Sequence, residues 1–167
     1  WIKSNGIDAI YEKQKLDESE LRLLIEQLKK KKIDGVNVTV PYKKAIIPFL
    51  DELSIEAKET QSVNTLYLKN NKVVGHNTDI IGFETSIEKF NYDVFNKEVL
   101  ILGAGGVVPS IIFALNKMKV SKIKISNRTK NKAENLKEYF KNIELLKRYR
   151  NFIDIFNSNI LNICVIE

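Results

Sequence analysis

The sequence predicts an α/β protein of two lobes: an N-terminal α/β lobe, then a doubly wound lobe built on parallel strands. Three observations carry this reading. Short β-branched or apolar runs, Val36 to Val40, Val99 to Leu102 and Lys122 to Ser126, alternate with helical patterns of about ten residues, as βαβ units require. Val99-Leu100-Ile101-Leu102 is apolar without alternation, as a parallel strand covered on both faces must be. A new βαβ pattern begins after the helix that follows Asp79, which puts the boundary there and gives lobes of residues 1–79 and 80–167.

In chain order, Trp1 to Asn5 reads as the end of a helix stopped by Gly6. Asp8 to Tyr11 is a short strand candidate. Asp17-Glu18-Ser19-Glu20 opens a helix whose acids lie in the first turn and whose Lys29 to Lys32 lie in the last, matching the helix dipole. Leu21, Leu24, Ile25 and Leu28 recur at helical spacing and form its core face. The following run, Gly35 to Val40, then completes a βαβ unit with parallel strands. Lys44 to Leu50 and Ser54 to Thr60 read as short helices on either side of Asp51. Asn64 to Leu68 alternates as a strand, and Asn70-Asn71 reverses the chain into a second strand, Lys72 to Gly75. A helix from Ile80 to Phe90 crosses between the lobes. Beyond it come the strand Val99 to Leu102, a helix with Pro109 in its first turns, the strand Lys122 to Ser126 and a helix from Asn131 to Phe140. Ile111, Ile112, Ala114 and Leu115 pack the first of those helices on the sheet. Past Lys141 the pattern blurs, with Ile153 to Phe156 and Ile160 to Ile166 as further strand candidates.

Composition narrows the function classes. The chain of 167 residues is 44% hydrophobic and 29% charged, with three prolines, which suits a soluble globular fold. No apolar run approaches a membrane span and no signal peptide precedes the first helix, so the expected setting is cytoplasmic, with no membrane partner. The single cysteine, Cys164, cannot form an internal disulfide, and one His with one Cys cannot build a standard zinc site. A net charge of +6 favours anionic ligands. Its lysines are interleaved with acids along helices and accompany no aromatic stacking platform, which argues against nucleic acid.

Two stretches carry chemistry in the first lobe. In Gly35 to Lys44, Asn37 and Thr39 fall on one side of an extended run, Pro41 ends it, and Lys43 follows at the strand end. A lysine held there beside polar groups can give up a proton, because burial favours its neutral form. The alternative is a strand, a proline turn and two solvated lysines. In Gly75 to Asp79, Asp79 stands where it could cap the next helix. In the second lobe, Gly103-Ala104-Gly105-Gly106 joins a strand to a helix, so backbone N–H groups and the helix N-terminus can approach a pyrophosphate. Val108 stands at the third fingerprint position, leaving the pattern incomplete; a tight strand-to-helix turn is the alternative. After the next strand comes Asn127-Arg128-Thr129, with Lys130 and Lys132, where a carboxylate would mark NAD. The guanidinium fork of Arg128 suits a 2′-phosphate, so the predicted lobe is Rossmann-like and binds NADP.

Taken together, the strings Asn37 to Lys43, Val63-Asn64-Thr65, Asn77-Thr78-Asp79, Gly103 to Gly106 and Asn127-Arg128-Thr129 resemble the shikimate dehydrogenase family in order and spacing. The resemblance runs to about Phe140. It implies NADP-dependent, reversible reduction of 3-dehydroshikimate to shikimate in the chorismate pathway of aromatic amino-acid biosynthesis. By the same resemblance Lys43 is the catalytic lysine and Asp79 its partner carboxylate, with Thr39, Asn64 and Asp79 binding the substrate hydroxyls. Gly103, Ala104, Gly105, Gly106, Asn127, Arg128, Thr129 and Lys132 fall on the cofactor side. Asn37 reads as structural, bonding the turn, His76 as a surface or supporting residue, and Tyr11 and Tyr42 as packing residues. The family's serine pair for the substrate carboxylate lies upstream of any residue here, and its asparagine-alanine-threonine stretch and closing glutamine helix find no match downstream. The expectation is a chain truncated at both ends or divergent at its C-terminus. The resemblance leaves room for a homodimer. Rival readings are a quinate/shikimate-type dehydrogenase using NAD, and a nucleotide-binding fragment without turnover.

Overall fold

The computed structural model describes residues 2–146 and the backbone of a strand at 161–164. Two four-stranded sheets are present, each with its own apolar cluster.

The first half begins with a 3-10 turn, Lys3–Asn5, closed by Gly6 in the left-handed region at φ 64°, as its sequence suggests. Helix α1 (Leu21–Lys29) follows a turn in which the Asp17 backbone N–H donates to the Glu20 carboxylate at 2.7 Å. Leu21, Leu24, Ile25 and Leu28 are all buried on its inner face. Strand β1 (Gly35–Asn37), helix α2 (Tyr42–Ala45), strand β2 (Glu52–Leu53) and helix α3 (Ile55–Thr60) come next. Ser54 Oγ caps α3 by accepting from the Ala57 N–H at 3.2 Å. Strands β3 (Thr65–Lys69) and β4 (Lys72–His76) form the expected hairpin, with Asn70 and Asn71 both at positive φ. The sheet order is β1-β3-β4-β2, with β2 parallel to β4 and the other pairs antiparallel.

Three expectations for this half fail. Asp8 to Tyr11 is not a strand: Ile10 is 90% exposed and Tyr11 64%, so no apolar face drives pairing. With that strand gone the βαβ unit goes too, and β1 pairs antiparallel with β3. Nor is Gly35 to Val40 a buried strand. β1 is a short edge strand, only Val38 of this run is buried, and Val40 is 59% exposed before the cis Val40–Pro41 bond.

Helix α4 (Asp79–Lys89) leads into the second half. There β5 (Glu98–Leu102), α5 (Val108–Lys117), β6 (Lys122–Ser126), α6 (Lys130–Tyr139) and β7 (Ile143–Leu145) alternate, and β8 (Leu161–Cys164) completes the sheet. The order is β7-β6-β5-β8 and every pairing is parallel, the Rossmann-like arrangement. Val99 and Ile101 of β5 and Ile123 and Ile125 of β6 are fully buried against Ile112 and Leu115 of α5. Leu100 of β5 is buried as well, so both faces of that strand are covered and it shows no alternation, whereas β6 alternates Lys122-Ile123-Lys124-Ile125 with its lysines half-buried. The candidate at Ile153 to Phe156 lies outside the described residues; that at Ile160 to Ile166 corresponds to β8. The sequence pattern does not predict β7.

Candidate active site

Lys43 is presented by α2, the short helix that the cis Val40–Pro41 turn starts. The Lys43 carbonyl accepts from the Val63 N–H at 2.8 Å, which fastens α2 to the chain entering β3. One residue on, Asn64 begins the approach to β3, and its backbone N–H donates to the His76 carbonyl at 3.0 Å. These bonds bring three distant segments to one point. The Lys43 Nζ donates to Asp79 Oδ2 at 2.8 Å, and the Asn64 Nδ2 donates to Asp79 Oδ1 at 2.8 Å.

Asp79 is therefore gripped on both oxygens. It is the first residue of α4, not its cap: Thr78 takes the cap position, and Asn77 Oδ1 accepts the Asp79 N–H at 3.0 Å. The capping alternative for Asp79 is thereby corrected, because Asn77 does that work in an Asx turn and leaves the carboxylate for Lys43 and Asn64. Asn64 is held in turn. Its Oδ1 accepts from the Thr78 N–H at 2.9 Å, the Thr78 hydroxyl at 3.1 Å and the Thr65 hydroxyl at 3.0 Å. The side chains of Lys43 and Asp79 are only 17% and 23% exposed, so the ion pair is partly sheltered while still reachable from solvent.

A cavity of about 330 Å³ adjoins this site, lined on one side by Val40, Pro41, Lys43 and Ser62 and on the other by Gly106, Pro109 and α6 residues including Tyr139. Lys43 and the glycine turn thus face one opening between the two halves. Thr39 is exposed and lies along a second cavity of about 390 Å³ with Asn37 and Leu16; no hydrogen bond joins it to Lys43 or Asp79 among the described residues.

Asn37, Tyr11 and Lys44 depart from expectation, while Tyr42 packs as expected. Asn37 does not bond the turn; its Oδ1 accepts from the Tyr11 hydroxyl at 3.2 Å, which also makes Tyr11 an exposed hydrogen-bonding residue rather than a packing one. Tyr42 packs against the first cluster and donates its hydroxyl to the Leu16 carbonyl at 3.0 Å. Lys44 is not simply solvated. Its Nζ stands 5.6 Å over the Tyr139 ring and 3.5 Å from that hydroxyl. His76 is half-buried, with Nδ1 3.9 Å from Glu56.

On the cofactor side, the Gly103 N–H donates to the Ser126 carbonyl at 2.9 Å, holding the turn between the ends of β5 and β6. Gly103 sits at φ 122°, a conformation that a side chain would strain. Ala104, Gly105 and Gly106 complete the turn into α5. Val108, at the third fingerprint position, is fully buried in the second cluster, so helix packing there is filled by a side chain. The Asn127 Nδ2 donates to the Thr129 carbonyl at 2.7 Å and shapes the next turn. Arg128, Thr129 and Lys132 are exposed beyond β6, whereas Lys130 pairs with Glu134 at 2.9 Å. A glycine at positive φ at the C-terminal end of a parallel strand, with a guanidinium and an ammonium exposed at the neighbouring strand end, is a donor set that fits a phosphorylated dinucleotide.

Sequence reasoning assigns no role to Asn77, Thr78 or Ser110. An Asn two residues before an Asp at a helix start is a readable turn signal; Ser110, inside an apolar helix, offers none.

Comparison with known proteins agrees with this geometry. Residues 1–66 match the family described as shikimate dehydrogenase substrate binding domain, and residues 84–161 match shikimate / quinate 5-dehydrogenase. Over 147 residues the chain is 58% identical to a shikimate dehydrogenase (NADP(+)) of Pelagibacter ubique, covering 88% of this chain and 56% of that protein. The crystal structure of shikimate dehydrogenase from Aquifex aeolicus superposes with a TM-score of 0.83 at 39% identity, over 96% of this chain and 59% of that one. Shikimate 5-dehydrogenase from Thermus thermophilus, solved in complex with NADP(H) and shikimate, superposes with a TM-score of 0.77 at 29% identity, over 87% and 54%. The chain spans little more than half the length of these relatives. Matched along both halves, in sequence and in fold, the chain belongs to the shikimate dehydrogenase family.

Proposed function

We propose that the protein is an NADP-dependent shikimate dehydrogenase, reversibly reducing 3-dehydroshikimate to shikimate. The observation that carries this reading is the Lys43–Asp79–Asn64 constellation, with both carboxylate oxygens engaged at 2.8 Å, across a cavity from the glycine turn. NADP, when bound, exchanges a hydride with the ring carbon that bears the reacting oxygen. The dinucleotide would be held by Gly103, Ala104, Gly105 and Gly106 through the backbone, and by Asn127, Arg128, Thr129 and Lys132 at its 2′-phosphate end.

The remaining chemistry falls to the first half. Reduction of a ketone leaves negative charge on its oxygen, so a proton must arrive there. Lys43 Nζ supplies that proton or a hydrogen bond to the developing charge. Asp79 aims the ammonium and accepts a substrate hydroxyl. Asn64 has one amide hydrogen on Asp79 and offers its second to the substrate ring, and Thr39 adds a hydroxyl from the cavity that shares Val40 and Pro41 with the first. A lone nucleotide-binding module would need neither Lys43 nor Asp79.

The lone cysteine and the lack of a helix long and apolar enough to cross a membrane among the described residues favour a cytoplasmic enzyme with a small-molecule substrate. The family resemblance leaves room for a homodimer. Incubating the complete gene product with shikimate or quinate and either NADP or NAD, while following absorbance of the reduced cofactor, tests the reading. Turnover with NADP supports it; turnover only with quinate or only with NAD assigns the alternative dehydrogenase, and none with any pair refutes the enzyme.

A further inference from the structure

A buried hydrogen-bond junction, built from residues outside the reacting groups, joins the two halves. Asn77 is 1% exposed and Ser110 fully buried, the latter lying in the first turn of α5 directly after the glycine turn. The Asn77 Nδ2 donates to Ser110 Oγ at 2.8 Å and to Thr60 Oγ1 at 3.0 Å, while its Oδ1 accepts the Asp79 N–H at 3.0 Å. Every hydrogen-bonding position of the amide nitrogen is thereby used. The Thr60 hydroxyl proton is itself spent on the Glu56 carbonyl at 2.6 Å, so position 77 must donate to Thr60 and a carboxylate there could not.

We propose that Asn77, anchored on α5 by Ser110, is a positioning residue that sets the Lys43–Asp79 pair relative to the glycine turn. The inference rests on the proposed dehydrogenase activity. Apolar packing between α4 and α5 resists separation but only weakly resists sliding. Directional bonds inside a dry junction fix both shift and rotation, and hydride transfer is sensitive to displacements well under the length of a bond contact. One side chain here ties α3, the first residue of α4 and the head of α5 together. The Asp79 backbone is thus located from α5 as well as from β4, the strand that precedes it.

The test compares wild type, Ser110→Ala and Asn77→Ala in the complete gene product. It measures kcat and KM for shikimate and NADP, shikimate binding without cofactor by calorimetry, and Tm. Ser110→Ala removes one oxygen and leaves Asn77 bound to Thr60 and Asp79. It should lower kcat roughly tenfold or more, with both KM values and cofactor-free shikimate affinity within about twofold of wild type. Asn77→Ala also removes the acceptor for the Asp79 N–H, so it should lower kcat further and weaken cofactor-free shikimate binding roughly tenfold. A Ser110→Ala protein that melts earlier yet keeps kcat within about twofold of wild type overturns the inference, since the junction is then only core structure. If Asn77→Ala fails to fold, Ser110→Ala decides alone. A wild type that neither binds nor oxidises shikimate overturns the functional reading and this inference with it; an active wild type with unaffected Ser110→Ala overturns the inference alone.

Discussion

Asp79→Asn removes a charge while leaving the shape of the side chain almost unchanged, and the cost is set by the two donors that surround it. Asp79 accepts from the Lys43 ammonium and the Asn64 amide, each at 2.8 Å. An asparagine has one acceptor and one donor group, so it can satisfy only one of them and must point an NH₂ at the other. If the oxygen stays with Asn64, Lys43 faces a donor and loses its partner. If it turns to Lys43, two amide nitrogens meet. Either arrangement forfeits one hydrogen bond to a charged group, about 1.5–3 kcal/mol. At about 1.4 kcal/mol per factor of ten, a loss of that size in the transition state lowers kcat/KM roughly 10- to 150-fold. Loss of the acceptor for a substrate hydroxyl adds a second term of similar kind, so KM for shikimate should rise as kcat falls.

The assay is initial-rate absorbance of the reduced cofactor across a range of shikimate concentrations, with Tm measured in parallel. Lys43→Ala supplies the contrast: rate collapses by roughly 10²–10⁴-fold, the usual scale for general acid–base groups, with shikimate affinity largely kept. The double variant should cost much less than the product of the two, because each single change already breaks the same pair. A folded Asp79→Asn protein within threefold of wild-type kcat/KM would refute the assignment of Asp79. Strict multiplication of the two effects would refute the idea that Lys43 and Asp79 act as a unit.

Three further outcomes are expected. Arg128→Ala should weaken NADP binding roughly ten- to hundredfold while NAD binding hardly changes, and equal losses in a titration of both cofactors would remove Arg128 from the 2′-phosphate. Gly75→Ala should destabilise the first half by about 1–3 kcal/mol, or about 2–12 °C in Tm, since a Cβ there would lie 2.5 Å from Leu50 Cδ1 and 3.0 Å from both Leu53 and Val63; an unchanged melting curve would contradict that packing. The Lys29 hydrogen bond, and then the Val73 N–H, hold the Asp51 carboxyl below its ordinary value of 3.8. The unfolded chain therefore takes up that proton first as pH falls. The stability advantage of wild type over Asp51→Asn should be full above about pH 4 and vanish as pH drops through the lowered folded value; an advantage that persisted into strong acid would exclude the pair as its source.

Much of the fold was legible because several signals were local. Asn70-Asn71 needs two positive φ angles, which few residue pairs accept, so the β3–β4 hairpin was written in two letters. Val99 to Leu102 declared a doubly covered strand by its lack of alternation. What misled was the run Gly35 to Val40, whose β-branched residues favour extension anywhere but whose place at the edge of a sheet depends on β3, some thirty residues later in sequence. Tyr11 and Lys44 misled for a related reason. An aromatic ring suggests packing and a second lysine suggests solvent, yet their partners, Asn37 and Tyr139, are 26 and 95 residues away.

The candidate site shows the same division more sharply. Lys43 and Asp79 could be named from their strings, but nothing in the chain between them, 36 positions apart, says that they meet. Their meeting is assembled from backbone bonds that any sequence can make: Val63 N–H to the Lys43 carbonyl, and Asn64 N–H to the His76 carbonyl. Side-chain identity enters only at the end, where Asn64 must be an amide to receive three donors on its oxygen while giving a proton to Asp79. An aspartate at 64 would accept the same three donors but turn a second negative oxygen on Asp79, and a leucine would leave the Thr78 and Thr65 groups unmet. The amide at 64 is thus required by the local chemistry as strictly as the charge at 79. By the same reasoning the amide at 77 is required by the hydroxyl of Thr60, whose proton already has a home. The chain therefore uses asparagine twice where a residue must give and receive at one point, and each time one end of the amide secures Asp79 or the turn that carries it.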